Sequence, residues 1–335
     1  MEQEKPQSRR IFLSVAYDGT NYHGWQLQPG AVTIESELNR ALSELLGGEV
    51  RVIGASRTDT GVHALCNAAV FDTAARIPAE KFAYALNQRL PEDIRIRESK
   101  EVSPDFHPRH TQSRKTYEYR IYNAQMPMPT KRLYSFFTYA KLDVGAMAQA
   151  GALLVGEHDF KSFCSVNTQA EMTVRTIYGL EVWRERAGRA YLQSGAAGGE
   201  SERQSSVCGM ENERQSGVCG MESERQSSVC GGESERQSGV CDIENGQRRS
   251  GVCGMESGQR QNGEEAGSDI IIRVTGSGFL YNMVRIIAGT LLEVGQGKRK
   301  PEDMTAILSA CDRSAAGPTA PACGLTLTEY EFFDK

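Results

Sequence analysis

The sequence is short of the features that mark most enzyme classes. Its nine cysteines include no CxxC pair, which argues against a thioredoxin-like redox motif and a paired-cysteine zinc site. Nowhere is there a nucleotide-binding glycine motif or a metal-ligand spacing. No run of about eighteen apolar residues exists, so no membrane span is expected. The opening MEQEKPQSRR is polar and lacks a signal-type apolar core, so secretion is not expected either. An odd cysteine count, with five of the nine crowded into one segment, speaks against a disulfide framework and for a reducing, cytoplasmic setting. Hydrophobic residues make up only 39% of the 335, below the globular norm.

That deficit belongs to one segment. From 196 to 267 the chain holds no Leu, Phe, Tyr or Trp, and it reads as a repeat: ESERQSSVCGM, ENERQSGVCGM, ESERQSSVCGG, ESERQSGVCDI, then the looser ENGQRRSGVCGM. Each unit offers Val, Cys and usually Met as its apolar groups. Burying so little does not offset the entropy of ordering eleven residues, so a disordered insertion is expected. A cysteine array acting as a redox or metal sensor would need a depressed thiol pKa or a second ligand type, and the repeat supplies neither. Residues 196–268 carry 13 acidic and 7 basic side chains, whereas the remainder carries 31 basic and 30 acidic. The overall charge of -5 therefore does not exclude a nucleic-acid partner, which would need only a local basic patch. Candidates are SRKTYEYR (113–120), Lys131 with Arg132, and GKRKP (297–301).

Outside the repeat the pattern is α+β. RIFLSVAYD alternates Ile11, Leu13, Val15 and Tyr17 as a strand does. TIESELNRALSELLGG has helical spacing, with Thr33 to cap it and Gly47-Gly48 to end it. VRVIGAS and LCNAAVFD read as strands, AEKFAYALNQRL as a helix and DIRIRESKEV as a strand. Residues 10–105 thus follow β-α-β-β-α-β, the ferredoxin-like split pattern. RKTYEYRIYN, TVRTIYGLEVWRER, SDIIIRVTGSG and LTLTEYEFF are further strands. DVGAMAQAGALLVG, FLYNMVRIIAGTLLEVG and PEDMTAILSAC are helices. The expected layout is a flexible tail (1–9), an N-terminal α+β subdomain (10–108) and a C-terminal α+β subdomain (109–335). The repeat interrupts the latter at about 196–268, between two strands, where a long insertion is tolerated at a hairpin tip.

Three stretches carry candidate chemistry. GASRTDTGVHA (54–64) places Asp59 in a turn after a short strand. An Asx-type turn would explain it. So would a partly buried carboxylate kept ionised by a neighbouring cation such as Arg57, acting as nucleophile or base. A Ser56–His63–Asp59 triad is improbable at such close spacing. In KTYEYRIY, Lys115, Tyr117, Tyr119 and Ile121 share a strand face; they fit either base stacking beside a phosphate contact or ordinary aromatic packing. In GSGFLYNMVRIIAG, Phe279, Met283, Ile286, Ile287 and Thr290 make the buried stripe of a helix, with Arg285 on the opposite side.

The segments YDGTNYHGWQLQ, GASRTDTGVHA, DFHPRHTQSRKTYEYRIYN, GEHDFKSF and GSGFLYNMVRIIAGTLLEVG follow the order and spacing of the tRNA pseudouridine synthase A family. The resemblance spans nearly all of the chain except residues 1–9 and the repeat. It implies a pseudouridine synthase fold: two ferredoxin-like-derived subdomains sharing a mostly antiparallel sheet, with a central, positively lined cleft. It implies isomerisation of uridine to pseudouridine at tRNA positions 38, 39 and 40 in the anticodon stem-loop, by a homodimer, without cofactor or metal. By the same resemblance Asp59 is the catalytic carboxylate, attacking the sugar or the ring. Arg57 helps to extrude the nucleotide, Tyr117 stacks on the uracil, Arg285 pairs with Asp59, and Leu280 lies near the base. A non-catalytic RNA binder on this fold, or a hydrolase using Asp59 with His63, are the competing readings. The insertion departs from the family and puts only the local hairpin, and RNA contacts near it, in doubt.

Overall fold

The computed structural model describes residues 8–166, 172–186 and 267–333. The tail up to residue 7 and the repeat up to residue 266, and with them the expectations of disorder there, lie outside the described residues.

Alternation builds the first strand as expected. β1 (Arg9–Tyr17) buries Ile11, Leu13, Val15 and Tyr17. α1 (Ile34–Leu46) starts at a capping box, in which Thr33 and Ser36 satisfy each other's backbone N–H groups. It stops at Gly47, whose φ of 71° is left-handed. Its Ile34, Leu38, Ala41 and Leu42 go into the core. β2 (Ile53–Gly54) and β3 (His63–Thr73) pair antiparallel. α2 (Phe82–Asn87) is shorter than the expected helix. Residues 79–81 form a 3-10 turn, and the Asn87 side chain leaves the helix to bond both Ile96 N–H and Ile96 C=O. Pro91 then forbids continuation. β4 (Ile94–Val102) pairs with β1. The order β4–β1–β3–β2, all antiparallel, is the split β-α-β-β-α-β arrangement.

The rest of the chain extends this sheet. β5 (Ser113–Asn123) carries β6 (Phe136–Thr138) on one edge. α3 (Val144–Ala152), capped by Asp143, leads to β7 (Gly156–Asp159) and β8 (Val174–Arg186). β9 (Ser268–Gly276) pairs with β8 down to Arg186↔Ser268, so the chain enters and leaves the repeat-bearing segment at two already paired residues. α4 (Met283–Gly295) and α5 (Asp303–Ala310) follow, and β10 (Leu325–Phe332) closes the chain. The ten-stranded sheet runs β4-β1-β3-β10-β5-β9-β8-β7, with β2 on β3 and β6 on β5. The last strand thus lies between β3, to which it is parallel over two residues, and β5, to which it is antiparallel. The fold is α+β with a mixed, mostly antiparallel sheet. β6 and β7 went unread in the sequence because three or four residues show no period.

The helix reading of 279–295 needs correction. α4 begins only at Met283, after Asn282 in a left-handed conformation (φ 60°), and Phe279 lies in the turn before it. The helix has no solvated side, since only Arg285 and Glu293 are not buried. The segment around 316–320 covers what the wheel left open. Gly317 N–H bonds Thr290 Oγ1, and a Cβ on Gly289 would stand 1.8 Å from the Pro318 carbonyl oxygen.

Candidate active site

The Asp59 loop leaves the sheet where β3 changes partner. β2 occupies the β3 edge at Ala69 and Val70, and β10 occupies it at His63 and Ala64. Between them the buried Asn67 side chain holds Ser56, accepting its N–H and donating to its C=O. Asn67 also donates to the Tyr17 hydroxyl, which lies 2.7 Å from Thr58 Oγ1.

The DGTNYHGW stretch (18–25) cradles the loop from below. Trp25 N–H bonds Thr58 C=O, and Gly61 N–H bonds Tyr22 C=O. The approach requires glycine at two places. A Cβ on Gly19 would sit 2.0 Å from Val62 O, and one on Gly24, whose φ is +82°, would sit 2.5 Å from Thr58 O. The sequence had given this stretch no task, although its glycines were the available signal.

Asp59 is thereby held at a fixed height, with 15% of its side chain exposed. Its Oδ2 is 3.5 Å from Arg285 Nη1. Arg285 is fixed independently: Nε donates to Ala320 C=O and Nη1 to Asn282 Oδ1, both at 2.8 Å. Burial raises the Asp59 pKa above the ordinary carboxylate range, and Arg285 opposes that shift by its charge and hydrogen bond. The expected cation, Arg57, is exposed and makes no ion pair with Asp59 among the described residues. The cation that faces Asp59 is Arg285, from α4.

Asp59, Arg57, Tyr117 and Leu280 all line a cleft of about 1350 Å³. Arg285 is not among the residues lining it, so it supports the carboxylate without facing the opening. Tyr117 comes from β5 and is 8% exposed; its ring meets Phe279 edge-on at 5.3 Å. Leu280 is buried beside it. Tyr119, on the same strand face, is fully buried with its hydroxyl on Pro321 C=O, and is core rather than a second stacking surface.

His63 is also withdrawn. It is 4% exposed, its Nδ1 accepts Gly19 N–H, and it does not line the cleft. No Ser56–His63–Asp59 triad exists.

The cleft is basic. Arg57, Arg109, Arg114, Lys115 and Arg175 line it, against the single carboxylate of Asp59. Arg109 is anchored on Gly54 C=O. Lys115 lies over the Tyr330 ring at 5.0 Å, and burial, then Arg175 and Arg109, push its pKa down to about 8. Of the three basic stretches in the sequence, only 113–120 reaches the cleft. Lys131 is paired with Asp269, and Arg299 with Glu293. Arg109, Arg175 and Tyr330 were not singled out from the sequence, because only the fold brings them to the cleft: Tyr330 through its register with Lys115, Arg109 from the loop before β5 and Arg175 from β8.

A family model described as tRNA pseudouridine synthase matches residues 13–110 and 150–332. The chain belongs to the tRNA pseudouridine synthase family. Three members, each called tRNA pseudouridine synthase A, show how far the likeness extends. Those of Brevibacillus brevis and Ruminiclostridium cellulolyticum are each 36% identical over 324 residues, covering 97% of this chain and all of the relative. That of Acetivibrio thermocellus is 36% identical over 326 residues, with the same coverage. In this tRNA pseudouridine synthase family member the first matched block holds the Asp59 loop and its cradle. The second holds Leu280, Arg285 and β10, while Tyr117 falls in the interval between them. Among the described residues no cluster of three or more His, Cys, Asp or Glu side chains could hold a metal ion, and no helix is long and apolar enough to cross a membrane.

Proposed function

We propose that this chain isomerises uridine to pseudouridine in tRNA, at positions 38, 39 and 40 of the anticodon stem-loop, with Asp59 as the reacting carboxylate. One observation carries the reading: a carboxylate fixed by a pre-set guanidinium faces a cleft in which it is the only acid beside five Arg and Lys side chains. Such a cleft suits a polyanion, and a lone acid in it needs a purpose beyond RNA binding.

The reaction breaks the N1–C1′ bond of uridine and forms a C5–C1′ bond; N1 gains a proton and C5 loses one. The base must first leave the helix. Arg57, exposed on the cleft wall, helps to extrude the nucleotide, by filling the space the everted base leaves or by contacting its phosphate. Tyr117, backed by Phe279, offers a ring for the uracil to stack on, and Leu280 closes an apolar side. Asp59 then attacks the sugar, with N1 as the leaving atom, or the ring; in either case its bond to the substrate is broken again as C5 is joined to C1′, and the free carboxylate is restored. Restricted water access keeps the detached uracil in place for reattachment through C5. Arg285, held by Ala320 and Asn282, needs no reorganisation to stabilise the carboxylate. A homodimer with tRNA lying across both subunits, acting in the cytoplasm, belongs to the same reading.

The test is pseudouridine mapping of tRNA from cells lacking the gene, complemented with wild type or Asp59→Asn. Wild type should restore modification at the anticodon stem-loop, whereas the amide should not. Restoration by Asp59→Asn at the normal rate would overturn the assignment.

A further inference from the structure

Three exposed side chains on the cleft wall have no part in the scheme above. Tyr178 sits at a β-bulge: Ile177 pairs with Gly276 and Gly179 with Thr275, leaving Tyr178 unopposed. Bulges re-aim side chains, and this one leaves Tyr178 lining the cleft at 49% exposure. Phe333, just beyond β10, is tied by its N–H to Gln112 C=O and is 38% exposed on the same cleft. The Arg114 guanidinium carbon lies 5.4 Å from the Tyr178 ring centre and 5.3 Å from that of Phe333. Its acidic neighbour Glu331 is 3.8 Å away and more than half exposed, so solvent screens that pair.

Exposed aromatics gathered around a cation at the mouth of a ligand cleft mark a binding surface rather than core packing. Two π-faces and a guanidinium plane suit an unpaired nucleobase, which is recognised by stacking whatever its identity. The cleft's other cations can hold the phosphates on either side of it.

We propose that Tyr178, Arg114 and Phe333 form a stacking platform for an unpaired base of the RNA substrate, adjacent to the nucleotide everted onto Asp59. The proposal rests on the RNA-modifying reading of the cleft and adds a second base-binding position to it.

The test uses the full chain, a synthetic anticodon stem-loop, and versions of that RNA in which each loop nucleotide in turn is abasic. Tyr178→Ala and Phe333→Ala should each raise KM and Kd by about 5- to 150-fold, the range of one base–aromatic stack, with kcat little changed. Tyr178→Phe should retain tight binding. At one loop position the abasic change should weaken wild type by a similar factor and weaken Tyr178→Ala hardly further, as a shared contact requires. Both side chains are exposed, so unaltered melting of the variants is expected, and Phe333→Ala stands in should Tyr178→Ala fail to fold. Unchanged KM and Kd in folded variants, or abasic losses that simply add at every position, overturn the platform. Wild type that binds RNA but makes no pseudouridine would overturn the proposed function and leave the stacking cycle readable. Absence of RNA binding would overturn both.

Discussion

Replacing Arg285 by Gln should displace the acid limb of the pH profile upward. The guanidinium nitrogen is 3.5 Å from Asp59 Oδ2, and both side chains are mostly buried. At that separation two unit charges interact by about 1 kcal/mol in water and about 5 kcal/mol at an effective dielectric constant of 20. The loss of Arg285 removes that attraction and leaves desolvation unopposed, so the Asp59 pKa rises further. The direction follows from the roles. In the proposed reaction the carboxylate works ionised; burial already holds its pKa above the ordinary value, and Arg285 is the group that restrains it. Activity therefore falls as pH drops through this pKa, and it should fall at higher pH in the variant. Lys115, with a pKa of about 8, belongs to the alkaline side, which should stay where it is. The assay is kcat/KM for pseudouridine formation on an anticodon stem-loop from about pH 5 to pH 9, which reports the free enzyme's ionisations. Limb position is independent of amplitude, so a general loss of activity does not obscure the result. An acid limb in Arg285→Gln that overlays wild type, or lies below it, would refute the pairing as the control on Asp59.

Other perturbations test the surroundings. Gly24→Ala places a methyl 2.5 Å from Thr58 O and strains a φ of +82°; displacing the Asp59 loop should lower kcat/KM by about 100-fold, and unchanged turnover would show that the loop is not held from below. RNA affinity should decline between pH 7 and 9 as Lys115 loses its proton, and Lys115→Arg should abolish that decline while keeping the salt dependence. Lys115→Gln should reduce the slope of log K against log salt by about one ion; a variant with the wild-type slope would place Lys115 away from phosphate. Because Arg186 and Ser268 are already paired, replacing the repeat between them with a short turn should leave tRNA modification intact, and a folded but inactive deletion variant would contradict this.

What the sequence made legible and what it hid divide along physical lines. Period-two and period-3.6 patterns report whether a residue faces the core, so β1, α1 and β5 could be read directly. The cap at Thr33 and the glycine stop at Gly47 are local events, and they too were visible. Asp59 stood out because a carboxylate among polar turn residues is conspicuous. Its partner could not be read from the loop itself, because nothing in 54–64 encodes a contact to residue 285; only the family resemblance pointed there. A helical wheel assumes one buried side. That assumption fails for α4, where the 316–320 segment covers the second side and turns Arg285 from a solvated residue into a fixed cation. Arg57 was the natural guess from proximity in sequence, yet it is exposed and makes no ion pair with Asp59 among the described residues. The bulge at Tyr178 is hidden for the same reason, since it exists only relative to the register of β9. The chemistry of this cleft depends on register and crossing, not on composition. An alternative register of β10 against β5 would leave every motif intact and still part Tyr330 from Lys115.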